Sequence, residues 1–296
     1  MKTRCGYVSI VGKPNVGKSS LLNALAGRKV SIVSDKPGTT RHRVYCAITR
    51  DETQALVVDT PGIFRPKRML DKFMEKMVVR AVEGVDLVIL VSDESGLEEL
   101  DRRMLKTVQI RSEETPVLLV LNKMDLFKKG ALVTALVEKW RPLHQWRGIL
   151  PVSVLTGKGL PLLWQSITEA LPEREFEVAA DEEVGLDERL HVADLIREKV
   201  LQLTRQEVPH SAAVVIERME DAKELLRISA DIIVERDSQK GILVGAGGGM
   251  IKAIGTAARL DIEKEVGKKV FLELFVKVRE HWRDDPSRLK EYGYED

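Results

Sequence analysis

Gly12-Lys13-Pro14-Asn15-Val16-Gly17-Lys18-Ser19 matches the pattern G-x-x-x-x-G-K-[ST]. Apolar, mostly β-branched residues at 7–11 predict a strand before it, and residues 20–26 predict a helix after it. A glycine-rich loop between a strand and a helix can wrap its backbone N–H groups around phosphate oxygens. Lys18 can then reach the β- and γ-phosphates and Ser19 can hold Mg²⁺. We therefore predict a nucleoside triphosphate site that runs from Gly12 through Ser20.

The composition is that of a globular protein of about two domains, since the chain has 296 residues, 44% hydrophobic and 31% charged. Its apolar runs, such as residues 85–91 and 116–121, are far shorter than the ~20 residues of a membrane span. The sequence shows no signal peptide, and its two cysteines do not indicate a disulfide framework. We expect a cytoplasmic protein.

Apolar strand patterns alternate with helical patterns from residue 4 to about residue 171. This alternation predicts an α/β domain over residues 1–171, with a mainly parallel six-stranded sheet and helices on both faces. Such sheets bind ligands beyond the carboxyl ends of their strands. Motifs that follow predicted strands are therefore the candidate site residues.

A second motif follows the apolar strand predicted at residues 55–58. It is Asp59-Thr60-Pro61-Gly62, in which Asp59 can hold Mg²⁺ and the Gly62 N–H can approach a γ-phosphate. Between the first helix and second strand lies a polar loop, residues 31–43, that can order around the γ-phosphate and Mg²⁺. In this loop we expect Thr40 to be a metal ligand, with Thr39 as the alternative.

A third motif indicates which base is bound. Asn122-Lys123-Met124-Asp125 follows the apolar strand at 117–121. The Asp125 carboxylate can accept two hydrogen bonds from the N1–H and N2–H₂ edge of guanine, a donor pair that adenine lacks, while the Lys123 stem lies over the ring. A site built on such bonds rejects the wrong base. After the next strand, Ser153-Val154-Leu155 can offer a backbone N–H to guanine O6.

These four ordered motifs resemble the translation-factor-like branch of the small GTPases. The resemblance implies GTP and GDP as ligands, Mg²⁺ as cofactor, and Lys18, Thr40, Gly62 and Asn15 as the catalytic set. Ile63 follows Gly62, where a glutamine would orient the attacking water, so we expect slow intrinsic hydrolysis. In relatives with a hydrophobic residue there, an asparagine matching Asn15 helps to bind K⁺, which makes K⁺ a second expected cofactor.

The remaining sequence predicts a different, smaller domain. An acidic, turn-prone stretch at 172–186 is expected to be a linker, and residues 187–296 to be an α+β domain. The predicted order is helix 186–205, strands 212–219 and 224–235 with a turn at Glu220-Asp221, helix 238–244, Gly245-Ala246-Gly247-Gly248, helix 249–266, strand 270–278 and helix 286–292.

This order resembles a type II KH domain, and a GTPase followed by a KH domain is similar to the Era family. The resemblance implies binding of 16S rRNA near its 3′ end and a role in assembly of the 30S subunit. It also implies a monomer and a peripheral association with the inner membrane. By the family pattern, the RNA-binding residues are Gly245, Ala246, Gly247, Gly248, Ile251 and Lys252.

Two features of the second domain oppose strong phosphate binding. The variable pair of the G-x-x-G turn is Ala246-Gly247, without a basic residue, and residues 181–296 carry 25 acidic against 19 basic residues, a net charge of −6. Phosphate contacts supply most non-specific affinity. We therefore expect recognition by base edges and shape, helped by a local patch drawn from Lys240, Lys252, Arg259, Lys277 and Arg279. Trp282 is expected to pack in the core or to stack on a base.

Two other functions share parts of this pattern. An ATP-using kinase or helicase would share the phosphate loop but not Asn122, Lys123 and Asp125. A GTPase switch whose C-terminal domain binds a protein or membrane partner stays open, because that domain is acidic.

Overall fold

The structure is a computed structural model that describes residues 3–62, 66–127, 130–179, 187–205 and 208–294. Contacts between residues group the chain into two units. The first comprises residues 1–31, 40–66 and 74–185. The second comprises residues 32–39, 67–73 and 186–296.

The first sheet has six strands in the order β2-β3-β1-β4-β5-β6. All neighbours are parallel except β2 and β3, which are antiparallel. The strands are β1 (Arg4–Gly12), β2 (Val44–Arg50), β3 (Thr53–Asp59), β4 (Leu87–Ser92), β5 (Val117–Leu121) and β6 (Gly148–Pro151). The accompanying helices are α1 (Lys18–Ala26), α2 (Met69–Ala81), α3 (Glu99–Arg111), α4 (Gly130–Trp140) and α5 (Leu160–Ala170). The prediction of a mainly parallel six-stranded sheet is confirmed.

Both faces of this sheet are buried, as β4 shows. Leu87, Ile89 and Val91 pack into one apolar cluster, and Val88 and Leu90 pack into another. Side chains on a strand alternate between faces, so a strand that is apolar at every position is covered on both sides. The prediction of helices on both faces is confirmed.

The parallel register brings the motifs to one edge of the sheet. Gly12 at the end of β1 pairs with Val91 of β4, and Ser92 pairs with Leu121 at the end of β5. Asp59 at the end of β3 pairs with Ile10 of β1. The carboxyl ends of these strands therefore place the phosphate loop, the Asp59 motif and the Asn122 motif together.

The first part of the expected linker packs on the first unit. Gln54, which is fully buried, accepts hydrogen bonds from the backbone N–H groups of Glu177 (2.9 Å) and Val178 (3.2 Å). Its amide nitrogen donates to the Val178 carbonyl at 2.9 Å. Residues 180–186 lie outside the described residues.

The second unit is an α+β fold with a three-stranded sheet in the order β7-β8-β9. β7 and β8 are antiparallel, and β8 and β9 are parallel. Its elements are α6 (Glu188–Leu203), α7 (Val208–Ser211), β7 (Ala213–Ala222), β8 (Leu225–Val234), α8 (Asp237–Val244), α9 (Gly249–Val266), β9 (Lys269–Val278) and α10 (Pro286–Glu291). The inner face of the sheet packs with α6 and α9 around a single apolar cluster. The prediction of a KH-type domain is confirmed.

One local prediction for this unit was wrong, and one short helix was not predicted. The turn expected at Glu220-Asp221 lies at residues 223–224, because β7 continues to Ala222. Glu220 lies opposite Arg227 in the ladder, and its carboxylate accepts a hydrogen bond from Arg218 on the same strand. The short helix α7 was not predicted.

Within the described ranges, no helix by itself has the length and apolarity to cross a membrane. The helices α8 and α9, which are bent by 44° at the turn between them, have the required length and apolarity only when they are taken together.

Candidate functional site

The phosphate loop is held by backbone geometry and by a buried lysine. Gly17 has a left-handed backbone (φ 94°), and a Cβ atom there would lie 2.4 Å from the Asn122 side-chain nitrogen. The Lys18 ammonium donates to the carbonyl oxygens of Gly12 (3.1 Å) and Lys13 (3.0 Å). Burial lowers the pKa of Lys18 to about 8, although Asp59 opposes that shift. The loop therefore surrounds a cation that is poorly solvated and suited to phosphate oxygens.

Three of the predicted metal ligands meet beside this loop. The Ser19 hydroxyl donates to Asp59 Oδ2 at 2.6 Å and lies 2.9 Å from the Thr40 hydroxyl. The other oxygen of Asp59, Oδ1, is buried and has no hydrogen-bond partner within the described ranges. Burial also raises the pKa of Asp59, against hydrogen bonds and the Lys18 charge that lower it. A hard cation with oxygen ligands fits this cluster.

The geometry also separates the two candidate threonines. The Thr39 hydroxyl donates to the Lys36 carbonyl at 2.6 Å. Within the second unit, the Arg197 guanidinium donates to the carbonyl oxygens of Gly38 (3.4 Å) and Thr39. The Thr39 side chain is thus engaged elsewhere, and Thr40 is the threonine beside Ser19.

Gly62 lies against the phosphate loop. A Cβ atom at Gly62 would come within 2.7 Å of the Pro14 nitrogen, so this approach requires glycine. The preceding Thr60 hydroxyl is tied to the Ile10 carbonyl at 2.8 Å. Ile63, on which the prediction of slow GTP hydrolysis depends, lies outside the described residues.

The residues predicted to recognise the base form a second hydrogen-bonded group. The Asn122 amide donates to the Val16 carbonyl at 2.9 Å and accepts from the Val154 N–H at 3.3 Å. The Ser153 hydroxyl donates to Asp125 at 2.5 Å. One asparagine therefore joins the phosphate loop to both base loops, while Leu155 at the end of the Ser153 loop is 84% exposed.

Sequence reasoning missed a charged cluster behind the phosphate loop. Lys13, counted only as a loop residue, is buried and donates to Glu98 (2.9 Å) and Asp101 (3.0 Å). Burial lowers the pKa of Lys13, but the hydrogen bonds to these two carboxylates outweigh it and raise the pKa overall. Nearby Asp93 accepts from Lys123 at 2.8 Å. The position of Asp93 directly after β4, at the edge of the sheet shared by the other motifs, could have identified it from the sequence as a candidate site residue.

In the second unit the glycine turn has the conformation that its sequence requires. Gly245, Gly247 and Gly248 have φ values of 71°, 57° and 79°. A Cβ atom at Gly245 would come within 2.8 Å of the Met250 Cβ atom. The turn leads directly into α9, which begins at Gly249. Its backbone is therefore available for close approach by a ligand.

A groove of about 300 Å³ lies along α9 and β9 next to this turn. Its lining residues are Ile251, Lys252, Gly255, Thr256, Arg259, Leu272 and Leu274. Apolar side chains and two cations thus line one open surface. Ile251 and Lys252, predicted from the motif, both lie on it.

The expected basic patch is smaller than the sequence suggested. Lys252 and Arg259 line the groove. Lys277 pairs with the buried carboxylate of Asp231. Because side chains alternate between the faces of a strand, Lys277 lies on the face of β9 opposite to Leu272 and Leu274, which line the groove. Trp282 is fully buried and its indole N–H donates to the Ser211 carbonyl at 2.9 Å, so it packs in the core.

Comparisons with known proteins agree with this division. A model described as a 50S ribosome-binding GTPase matches residues 7–123, and a KH domain model matches residues 207–283. The chain is 44% identical to the GTPase Era of Geobacter sp. strain M21, covering 99% of each chain. It is 42% identical to the GTPase Era of Lactobacillus helveticus, covering 99% of this chain and 96% of the other.

Two solved structures are similar over nearly the full length. One is an Era variant from Aquifex aeolicus bound to GDP·AlF₄⁻, and the other is Era in complex with MgGDPNP and nucleotides 1506–1542 of 16S ribosomal RNA. Each has a TM-score of 0.94 and 38% identity, covering 99% of both chains.

Proposed function

This chain belongs to the GTPase Era family and hydrolyses GTP to GDP and phosphate, and we propose that its nucleotide state controls binding of its KH domain to 16S rRNA near the 3′ end. By this means it assists assembly of the 30S subunit. The observation that carries the proposal is the groove beside the glycine turn, with Ile251, Leu272 and Leu274 on its apolar surface and Lys252 and Arg259 beside them. Unstacked bases of a single strand can pack against apolar side chains in such a groove while cations meet the backbone.

The contacts in the nucleotide site support the following proposed roles. Lys18 and the loop N–H groups bind the β- and γ-phosphates, and Gly62 contacts the γ-phosphate from the other side. Ser19, Thr40 and Asp59 would hold Mg²⁺, and the ion would supply neutralisation of the charge that develops on the phosphates. Asp125 reads guanine, and Asn122 keeps the base loops and the phosphate loop in register. Release of the γ-phosphate removes the group that Thr40 and Gly62 bind.

The RNA proposal is tested by titrating a 3′-terminal 16S rRNA fragment into the full chain bound to GDPNP, to GDP and to no nucleotide. We expect saturable binding that is tightest with GDPNP. A scrambled RNA of the same length is the control. Binding through phosphates alone would give the fragment and the scrambled RNA the same affinity, because phosphate contacts carry no sequence information. Equal affinity in the three states would refute nucleotide control, and no preference over the scrambled RNA would refute recognition of this sequence.

We also propose K⁺ as a second cofactor at Asn15, whose left-handed backbone (φ 63°) lies within the phosphate loop. The hydrolysis rate should be higher in K⁺ than in Na⁺, and Asn15→Ala should remove that difference. Equal wild-type rates in the two salts would contradict the proposal.

The other expectations stay predictions. They are a monomer in the cytoplasm, a boundary between the domains within residues 172–186, and peripheral association with the inner membrane.

A further inference from the structure

A chain of hydrogen bonds joins the phosphate loop to the base loop through the residues that follow β4. Lys13 Nζ donates to the Ser95 hydroxyl at 2.5 Å, and that hydroxyl donates to Asp93 Oδ1 at 2.6 Å. The other oxygen, Asp93 Oδ2, accepts from Lys123 Nζ at 2.8 Å. Asp93 therefore lies between the two loops that hold the nucleotide.

The distances pair Asp93 with Lys123 more closely than with Lys13. Lys13 has closer carboxylates in Glu98 and Asp101, at 2.9 and 3.0 Å, and is 3.6 Å from Asp93. The Asp93 side chain is only 8% exposed, whereas that of Lys123 is 32% exposed. A buried carboxylate that accepts a charge-assisted hydrogen bond restricts the side chain that donates it.

Lys123 is held at both its backbone and its side chain. Its backbone is left-handed (φ 60°), an uncommon conformation for a residue with a side chain. Its neighbours in the motif have their own anchors, since Asn122 binds Val16 and Asp125 binds Ser153. The Lys123 ammonium is held by Asp93, so its aliphatic stem is directed before a base arrives.

We propose that Asp93 is a positioning residue for guanine nucleotides, which fixes the Lys123 stem over the base and links it through Ser95 to the phosphate loop. The inference rests on the proposed role of Asn122, Lys123 and Asp125 in binding guanine. In this proposal Asp93 acts through Lys123 and Ser95, the side chains that it contacts.

The test compares the dissociation constants of GDP and IDP for the full chain and four variants. Asp93→Asn keeps the shape and removes the charge, and Lys123→Met keeps an apolar stem and removes the ammonium. We expect each to weaken GDP binding about tenfold. The double variant should bind GDP no less tightly than the single variant with the larger loss, because both changes remove the same contact. Glu98→Gln is the matched control, because it removes an equal charge beside Lys13 without touching Lys123, and it should change GDP affinity less than about twofold.

The ratio of IDP to GDP affinity separates positioning from general damage. IDP lacks the 2-amino group that Asp125 reads, so a variant that disturbs only Lys123 keeps the wild-type ratio. Unchanged GDP affinity in Asp93→Asn, additive losses in the double variant, or a collapsed ratio would each overturn the proposal. If Asp93→Asn does not fold, wild-type GDP affinity in Lys123→Met overturns it alone. A wild-type chain that does not bind GDP would instead refute the proposed function.

Discussion

The nucleotide site and the groove along α9 are built in different ways. In the nucleotide site, side chains from distant parts of the sequence hold one another, as when Asn122 bonds Val16 and Val154 and Ser19 bonds Asp59. The groove depends on backbone conformation at Gly245 to Gly248 and on small or apolar residues along α9 and β9. Discrimination in the first site should therefore depend on single polar atoms, and in the second on shape and on summed weak contacts.

The largest expected effect is on the base contact. Asp125→Asn removes the charged acceptor for the guanine edge, so we expect at least a roughly 100-fold loss of GDP affinity. Xanthine has a carbonyl where guanine has its amino group, and the new amide can donate to it, so XDP affinity should rise. Competition between GDP and XDP measures both. A uniform loss for the two nucleotides would contradict the assignment of Asp125 to base reading.

The next effect concerns the asparagine that joins the loops. Asn122→Ala removes its bonds to Val16 and Val154 and should weaken GDP binding about tenfold. Gln54→Ala is the control, because it removes a buried amide of the same unit that binds Glu177 and Val178 instead. The control should lower the free energy of unfolding but leave GDP affinity intact. Equal effects of both variants on GDP affinity would show that stability alone sets the site.

The glycine turn offers a matched pair of substitutions in the second unit. Gly248 and Gly267 stand at the two ends of α9, with φ values of 79° and 69°, and a Cβ atom at either would meet no described atom within 4 Å. Aspartate at either position meets similar backbone strain, but only Gly248→Asp places a negative charge beside the groove. We expect it to weaken RNA binding about tenfold, while Gly267→Asp leaves RNA affinity unchanged. Equal losses would remove the turn from the RNA site.

The smallest effect is on phosphate contacts. Lys252→Ala should weaken RNA binding about threefold and reduce the slope of log affinity against log salt by about 0.7. Lys264→Ala, an exposed lysine on α9 that is not part of the groove lining, is its control. A larger loss with an unchanged salt slope would show that Lys252 reads a base edge instead.

Local patterns were sufficient for most of the fold. The alternation of strand and helix patterns predicted the order of the elements, because periodicity reports which face of an element is buried. The turn between β7 and β8 was misplaced, since Glu220 and Asp221 resemble turn residues until their partners Arg227 and Lys268 are known. Trp282 could not be assigned from sequence either, because its burial depends on contacts with Ser211 and Tyr294.

The sequence alone predicts which chemical groups this protein offers to a nucleotide, since Lys18, Ser19, Asp59, Asn122 and Asp125 occur in short motifs that follow strands. Short motifs carry this information because the loop between one strand and the next helix is local. Only the tertiary structure decided which distant groups meet them. Asp93 reaches Lys123 because β4 and β5 are neighbours in the sheet, and Lys277 meets the buried Asp231 because β8 and β9 are neighbours.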